Sequence, residues 1–416
     1  MYNLVDTAYI GRLGAPQLAA LTFSFPLFFT LVSFNIGMGV GLNSLVSRRL
    51  GAGDEKAAAN AALHGVVASL ACAGLLFLLT EIFLGPLFSL LGAEGEVKRL
   101  ACEYMRIIAG GVFMMFPMYA INSTFAAQGD TLTPMKVQFF TLFLNLTLDP
   151  IFIFGFGLGI RGAAIATNLA LMVGLFTAAR FLKKRSRLRL VRANWHFSAA
   201  IVRETFAIGL PASLTMLLMA FYMMGINRLV AGYGTNTVAA LGLITRLDSA
   251  VIIPMVALAI ALLTLAGTLY GAGEFKLLYR IIRFTVCVNI GFACACGLLM
   301  FLLPELFLRL FTNQPEPLAL AVGYLRLEVF SYPFIAVTII SIRALQGLGK
   351  SLPGLAINLT RLFLVSLPLA ALFTLVLHTD FRFVALAALA GNLAAAGGGF
   401  AWLMKILQKV ETAPGH

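Results

Sequence analysis

Long apolar runs separated by short polar breaks constrain this chain more than any other feature. A helix needs about 20 apolar residues to cross the hydrocarbon core of a bilayer. In that medium every backbone N–H and C=O must be satisfied within the segment, which favours helices. Such runs cover 19–46, 57–84, 100–127, 134–155, 162–182, 203–231, 238–269, 277–303, 318–346, 354–377 and 382–406. They predict eleven spans in an all-helical, multi-pass membrane protein. Composition agrees, with 60% of residues hydrophobic and 11% charged. A soluble chain carries about 25% charged residues, so too few polar groups remain here to cover a water-facing surface.

Residues 1–12 read as the tail of a further span, because Tyr2 to Ile10 is too short to cross alone. The expectation is twelve spans with the start of the first one absent, a mis-assigned start codon being the cause. No basic n-region opens the chain, so a cleavable signal peptide is not expected.

The net charge of +13 does not point to nucleic acid, because Lys and Arg sit in short runs between apolar segments, as topology signals do. One set of loops holds Arg48, Arg49 and Lys56, then Lys136, the run from Lys183 to Arg192, Lys276, Arg280 and Arg283, Lys350, and Lys405 with Lys409. The alternate loops hold only Arg12, Lys98, Arg99, Arg161, Arg309 and Arg382. The richer set is expected on the cytoplasmic side of the inner membrane, with the C-terminus. The most basic stretch, 180–198, reads as a connector held inside; a lipid-binding segment is the alternative.

The chain repeats itself at an offset of about 220. Leu50-Gly-Ala-Gly-Asp-Glu-Lys56 recurs as Tyr270-Gly-Ala-Gly-Glu-Phe-Lys276, and Leu18-Ala-Ala-Leu21 as Val238-Ala-Ala-Leu241. Tyr104-Met-Arg-Ile107 recurs as Tyr324-Leu-Arg-Leu327, Gln128-Gly129 as Gln346-Gly347, and Pro86 and Pro150 as Pro304 and Pro368. Six collinear matches make a duplication of six spans. An even number leaves both halves in the same orientation, related by a pseudo-two-fold axis along the membrane normal. The expected organisation is an N-terminal lobe over 1–182, a basic connector over 183–200 and a C-terminal lobe over 201–416. Substrate would sit between the lobes, which favours a transporter.

An ionisable group at the bilayer centre costs about 2.5–3.5 kcal/mol on insertion scales. The N-terminal half contains Asp6 and, in Asn145-Leu-Thr-Leu-Asp149-Pro150, a second acid. Asn145 and Asp149 are four apart and share a helix face. Pro150 has no N–H to offer the carbonyl of Leu146. Counted from the outer loop, Asp149 lies roughly 9 Å deep at 1.5 Å per residue; Thr167 and Asp6 reach a similar level. Two carboxylates, an amide and a hydroxyl suit a hard cation or a proton; a hydrogen-bonded packing cluster is the alternative.

The C-terminal half differs. The repeat puts Asn227 where the first half has Asp6, and Leu367-Pro368 where it has Asp149-Pro150. Its intramembrane charges include Arg228, Arg246, Asp248, Glu328, Arg343 and Arg361. Asn122, Arg228, Arg246 and Asp248 are the candidates for a substrate cavity, although Arg246 and Asp248 could instead pair with each other.

Signatures of chemistry are weak. Gly157-Leu-Gly159-Ile-Arg-Gly162 fits GxGxxG but has no strand before it. Gly349-Lys350-Ser351 resembles the end of a P-loop, but Ala344 stands where a glycine is needed. Five Cys and four His are scattered without metal-ligand spacing. Neither an enzyme, a resident cofactor nor a structural metal is expected.

Val5-Asp6-Thr7 with Gly11, Arg49-Leu-Gly51, Gln128-Gly129-Asp130, and above all Leu148-Asp149-Pro150 with Ile153-Phe-Gly155 and Gly162-Ala-Ala resemble the multidrug and toxic compound extrusion (MATE) transporters. The resemblance runs over essentially the whole chain. It implies two six-helix lobes around a central cavity; a monomer is expected. It also implies export of organic cations and other amphiphiles against H⁺ or Na⁺. Its cation site would be Asp6, Asn145, Asp149 and Thr167. The acidic residues that another branch carries on the seventh and tenth helices are not evident here. A flippase for lipid-linked precursors is the nearest rival, kept open by Arg228, Arg246 and Arg343; a membrane-embedded enzyme is the rival of another class.

Overall fold

In the computed structural model residues 7, 9–188 and 194–411 are described; Asp6 lies outside them. Among these residues all regular structure is helical. The long helices are α1 (Ala15–Gly51), α2 (Glu55–Leu90), α3 (Gly95–Ala127), α4 (Leu132–Pro150), α5 (Gly159–Arg185), α6 (Ala199–Val230), α7 (Thr235–Gly271) and α8 (Phe275–Leu302). A short α9 (Pro304–Leu308) leads to α10 (Pro315–Glu328), α11 (Tyr332–Gly347), α12 (Leu352–Leu359), α13 (Leu367–Ala371) and α14 (Phe383–Glu411). The described residues hold 11 helices long and apolar enough to cross a membrane. Each matches one of the eleven apolar runs to within several residues at its ends.

The faces of these helices suit lipid. Phe139 is 71% exposed, Ile253 67% and Leu364 66%, an apolar surface that water would not tolerate. Hydroxyls within the spans bond back to their own helix: Ser33 donates to the carbonyl of Phe29, Thr141 to Val137, Thr205 to Ile201 and Thr338 to Phe334. This removes the cost of a bare hydroxyl in an apolar medium.

The chain divides into two compact units: Met1–Leu50 with Asp54–Ser213, and Gly51–Gly53 with Leu214–His416. The division falls within α6, beyond the connector at 183–200. In the first unit α3 packs against α2 and α5, and α4 against α5. Its core includes Phe88, Tyr104, Met105, Phe116 and Ile153. In the second unit α11 packs against α7, α8 and α14, and Tyr324, Leu325, Tyr332 and Ala336 lie in its core.

The sequence repeat is also a repeat of local structure. Gly53 (φ +76°) and Gly273 (φ +74°) turn the chain between α1 and α2 and between α7 and α8. Gly129 (φ +84°) and Gly349 (φ +78°) do so after α3 and α11, so the structural counterpart of Gly129 is Gly349 rather than Gly347, which ends α11. These are left-handed conformations that glycine adopts without strain. Pro150 is followed by a π-helical turn at Ile151–Gly155, and Pro368 by one at Leu372–Val376. The copies differ at the cap: Asp54 accepts the backbone N–H of Ala57 at 2.8 Å, whereas Glu274 makes no side-chain cap bond.

The described ends of the basic connector are packed on the first unit. Leu188 is 3% exposed and joins the cluster of Leu42, Leu45, Val46 and Ala58. Gln128 Oε1 accepts from Ser186 Oγ (3.1 Å) and from the Arg187 N–H (2.8 Å). Asn60 holds the His196 backbone from both sides, donating to its carbonyl and accepting from its N–H. His64 stacks on Trp195 at 4.3 Å between centroids and accepts the Ser198 N–H at Nε2 (2.9 Å). Arg48 pairs with Glu204 at 2.7 Å.

Candidate functional site

The first unit brings three of the four expected cation-site residues together. α4 carries Asn145 and Asp149 one turn apart, both fully buried, and α5 carries Thr167, 6% exposed. Asn145 Nδ2 donates to Asp149 Oδ1 at 3.0 Å and to Thr167 Oγ1 at 3.3 Å. One amide nitrogen thus ties the carboxylate of one helix to the hydroxyl of the next. Its partner atom, Asn145 Oδ1, is buried with no hydrogen-bond partner. A buried acceptor of that kind is costly unless a donor or cation reaches it.

The backbone explains how the helices approach. Pro150 interrupts the α-helical ladder, and the chain continues as a π turn, a form frequent at functional sites. Gly162 at the start of α5 lies against this turn: a Cβ there would meet the Phe152 carbonyl oxygen at 2.5 Å. Gly174 similarly faces Thr141, with only 2.6 Å between a Cβ and its hydroxyl. Small residues at these points let α5 close on α4.

Two cavities lie in this unit. One of about 240 Å³ is lined by Thr7, Leu18, Leu21, Thr22, Phe25 and Tyr104, among others. The other, about 10 Å³, is bounded by Thr167, Asn168, Phe28, Ile108 and Gly111, room for about one water. Asn168 was not anticipated from sequence. Its Nδ2 donates to the Ile107 carbonyl and its Oδ1 is buried without a partner. Its place directly after Thr167 was the available signal.

The four substrate-cavity candidates fall in both units. Asn122, in α3 of the first, is 5% exposed, and neither atom of its amide has a hydrogen-bond partner. Arg228 is exposed at the end of α6, and Arg246 is exposed on α7, its guanidinium 6.0 Å from the Phe311 ring. Asp248 Oδ1 instead accepts from Tyr332 Oη at 2.8 Å. The Arg246–Asp248 pairing is therefore not formed, for a simple reason: residues two apart on a helix point to different sides. Tyr332 comes from a distant segment of the chain.

The fold and family are shared with known proteins. A family model described as MatE matches residues 1–151 and 211–372; one described as Lipid II flippase MurJ matches 96–244. The chain is 30% identical over 390 residues to an FAD transporter of Shewanella oneidensis, covering 89% of this chain and 83% of that one. It is 30% identical over 385 residues to the probable multidrug resistance protein YpnP of Bacillus subtilis, covering 90% and 84%. A solved multidrug resistance MATE family transporter in an outward-facing conformation superposes with a TM-score of 0.92 at 27% identity, over 99% of this chain and 92% of that one. A MOP superfamily transporter from Pyrococcus furiosus, described as having a binding pocket of reverse polarity, gives 0.91 at 27% identity over the same shares.

Proposed function

This chain belongs to the MatE family of membrane transporters, which are not enzymes, and from that premise we propose that it exports amphiphilic organic cations, drugs among them, in exchange for H⁺ or Na⁺. The observation that carries the reading is the buried Asn145–Asp149–Thr167 set on α4 and α5. Asp6 is proposed as its fourth member. Relatives named for multidrug resistance support the substrate class. The inner membrane, a cytoplasmic C-terminus and a monomeric state belong to the same proposal, the orientation resting on the distribution of Lys and Arg.

The cycle follows from electrostatics. With its carboxylate charged, Asp149 holds a negative charge in an apolar medium. A proton or Na⁺ arriving from outside neutralises it, and the packing of α4 on α5 changes. Inward movement of one charge releases about 2.3 kcal/mol per 100 mV and outward movement of a monovalent cation costs the same, so in a one-for-one exchange the concentration gradient of H⁺ or Na⁺ drives expulsion of the substrate. Asp149→Asn mimics the neutral state permanently. Efflux of a fluorescent organic cation from cells carrying Asp149→Asn is expected to fall to the level of cells lacking the protein. Unchanged efflux overturns the mechanism.

A second reading, export of an anionic phosphate-bearing substrate, is favoured by the FAD transporter relative, the MurJ match over 96–244 and the exposed Arg228 and Arg246. Proteoliposomes loaded with FAD or with an organic cation separate the two readings directly.

A further inference from the structure

The cations at the two ends of the first unit are used differently. Toward the end assigned to the outer side they have partners. Arg99 pairs with Glu103 at 3.1 Å, Arg161 with Glu103 at 2.7 Å and Arg106 with Glu81 at 3.4 Å, and Lys98 Nζ donates to the Ser89 hydroxyl at 2.6 Å. At the opposite end Lys136 lies near the start of α4, Arg180, Lys183 and Lys184 lie in the last turns of α5, and Arg187 follows just beyond; all five are exposed. Among the described residues none of the five makes an ion pair within 4.0 Å. Arg185 turns to the ring of Phe181 instead, 5.2 Å from its centroid. Asp130, the acid of the turn before α4, is taken by Thr133, accepting its N–H at 2.9 Å and its hydroxyl at 2.6 Å.

Packing gathers these five cations. Val137, next to Lys136, and Ala178 and Leu182, on either side of Arg180, share one apolar cluster with Phe125 of α3. Gln128, just after α3, accepts the Arg187 N–H at 2.8 Å. The end of α3, the start of α4 and the end of α5 therefore meet here. Next to the charges both helices present apolar rings. Lys136 shares a face with Phe139, Phe140 and Phe143, three, four and seven residues on. Arg180, Lys183 and Lys184 share one with Phe176, four, seven and eight residues back. Phe143 is 62% exposed and Phe176 67%, a surface for lipid rather than water. At 1.5 Å per residue these rings lie about 5–12 Å from the charges along the helix axes. That spacing matches the step from the headgroup layer into the hydrocarbon core.

We propose that Lys136, Arg180, Lys183, Lys184 and Arg187 form a docking surface for the phosphate headgroup of an anionic phospholipid, whose acyl chains lie along Phe139, Phe143 and Phe176. Charge complementarity selects the headgroup: five cations without acid partners repel one another, and a phosphate between them offsets that repulsion. Clusters of Lys and Arg immediately beside a span recognise anionic headgroups in this way. Their long stems lie on apolar surface while the charged tips reach the interface. A soluble anion would use the charges alone. The continuity of the charges with lipid-facing rings on both helices singles out a lipid. That the surface meets the inner leaflet rests on the orientation proposed above; its occupancy does not rest on the transport reading.

The test reads bound lipid. Native mass spectrometry of the full-length protein, released from detergent micelles with equimolar phosphatidylglycerol and phosphatidylethanolamine, reports which lipid is retained. Phosphatidylglycerol is expected to be preferred. Combining Lys136→Gln, Arg180→Gln, Lys183→Gln and Lys184→Gln is expected to lower that preference at least about tenfold. A matched variant removes four cations at the other end, with Lys98→Gln, Arg99→Gln, Arg106→Gln and Arg161→Gln, and is expected to keep it. No loss in the first variant, or equal losses in both, overturns the site, because the charge of the chain as a whole would then account for binding. Should the first variant fail to insert, since the same cations help to orient the chain, Lys136→Gln with Lys184→Gln is expected to lower the preference about threefold or more; an unchanged preference overturns the site equally. Inorganic phosphate in molar excess is expected to leave the lipid bound, and its displacement marks a site for free phosphate and overturns the lipid. A failure of efflux to respond to Asp149→Asn counts against the antiport reading alone.

Discussion

At the scale of single residues, Asn145 is the most economical part of the first unit. Its Nδ2 serves Asp149 and Thr167 together, so a change there disturbs both partners. Asn145→Leu keeps the volume and removes both bonds. It is expected to cut efflux at least about tenfold, the equivalent of ~1.4 kcal/mol, with little change in protein level in the membrane; transport assays normalised to expression check this. Gly162 tests packing instead. A Cβ at 2.5 Å from the Phe152 carbonyl cannot be accommodated without shifting backbone. Gly162→Ala should therefore cost about 1–3 kcal/mol, seen as a lower midpoint of thermal unfolding in detergent. Asp130, in the turn before α4, gives a pH prediction. Burial pushes its carboxyl up, but the Thr133 hydroxyl, the backbone N–H groups of Thr133 and Leu132 and the field of Arg185 outweigh it and hold it below the ordinary range. A depressed folded-state value stabilises above the unfolded value, about 3.9, and the gain disappears as pH falls through the folded one. Asp130→Asn should thus destabilise at neutral pH and match the parent in strong acid, as unfolding midpoints across pH would show.

At the scale of elements, the connector has a defined attachment. Asn60 and His64 of α2 hold its far end through His196, Trp195 and Ser198, while Gln128 holds its near end through Ser186 and Arg187. Asn60→Ala with His64→Leu should release the segment and speed trypsin cleavage in the basic stretch 183–192 several-fold, measured on inside-out vesicles. The elements themselves were legible in the sequence. Apolar run length located all eleven long helices, because a run of about 20 apolar residues fits a bilayer as a helix that satisfies its own backbone, whereas a barrel strand is about half that length. The π turn after Pro150 was legible only as a broken ladder. The 3₁₀ break at Val329–Ser331 was not legible, because Pro333 is compatible with the first turn of a helix and no other residue there interrupts the apolar pattern.

At the scale of the whole molecule, two units carry one duplicated pattern with different chemistry. The first holds Asn145, Asp149 and Thr167; the second has Leu367 before its matching proline and places its acids at Asp248 and Glu328 instead. Uphill substrate uptake should follow the gradient of one ion, H⁺ or Na⁺, and be lost in Asp149→Asn. Substrate uptake into inside-out vesicles under separate pH and Na⁺ gradients measures this.

The sequence by itself determined the number of spans, the duplication, and the pairing of Asn145 with Asp149. All three depend on properties that lie along the chain: run length, offset, and the 3.6-residue period of the helix. The tertiary structure decided which side chains meet across helices. It turned Asp248 away from Arg246 toward Tyr332, and set Thr167 against Asn145. It also left Asn145 Oδ1, Ser331 and Glu328 Oε2 without partners. Those outcomes depend on the rotation of each helix about its axis. In an apolar medium that rotation is set by close packing at small residues such as Gly162 and Gly174, a property that no single segment contains.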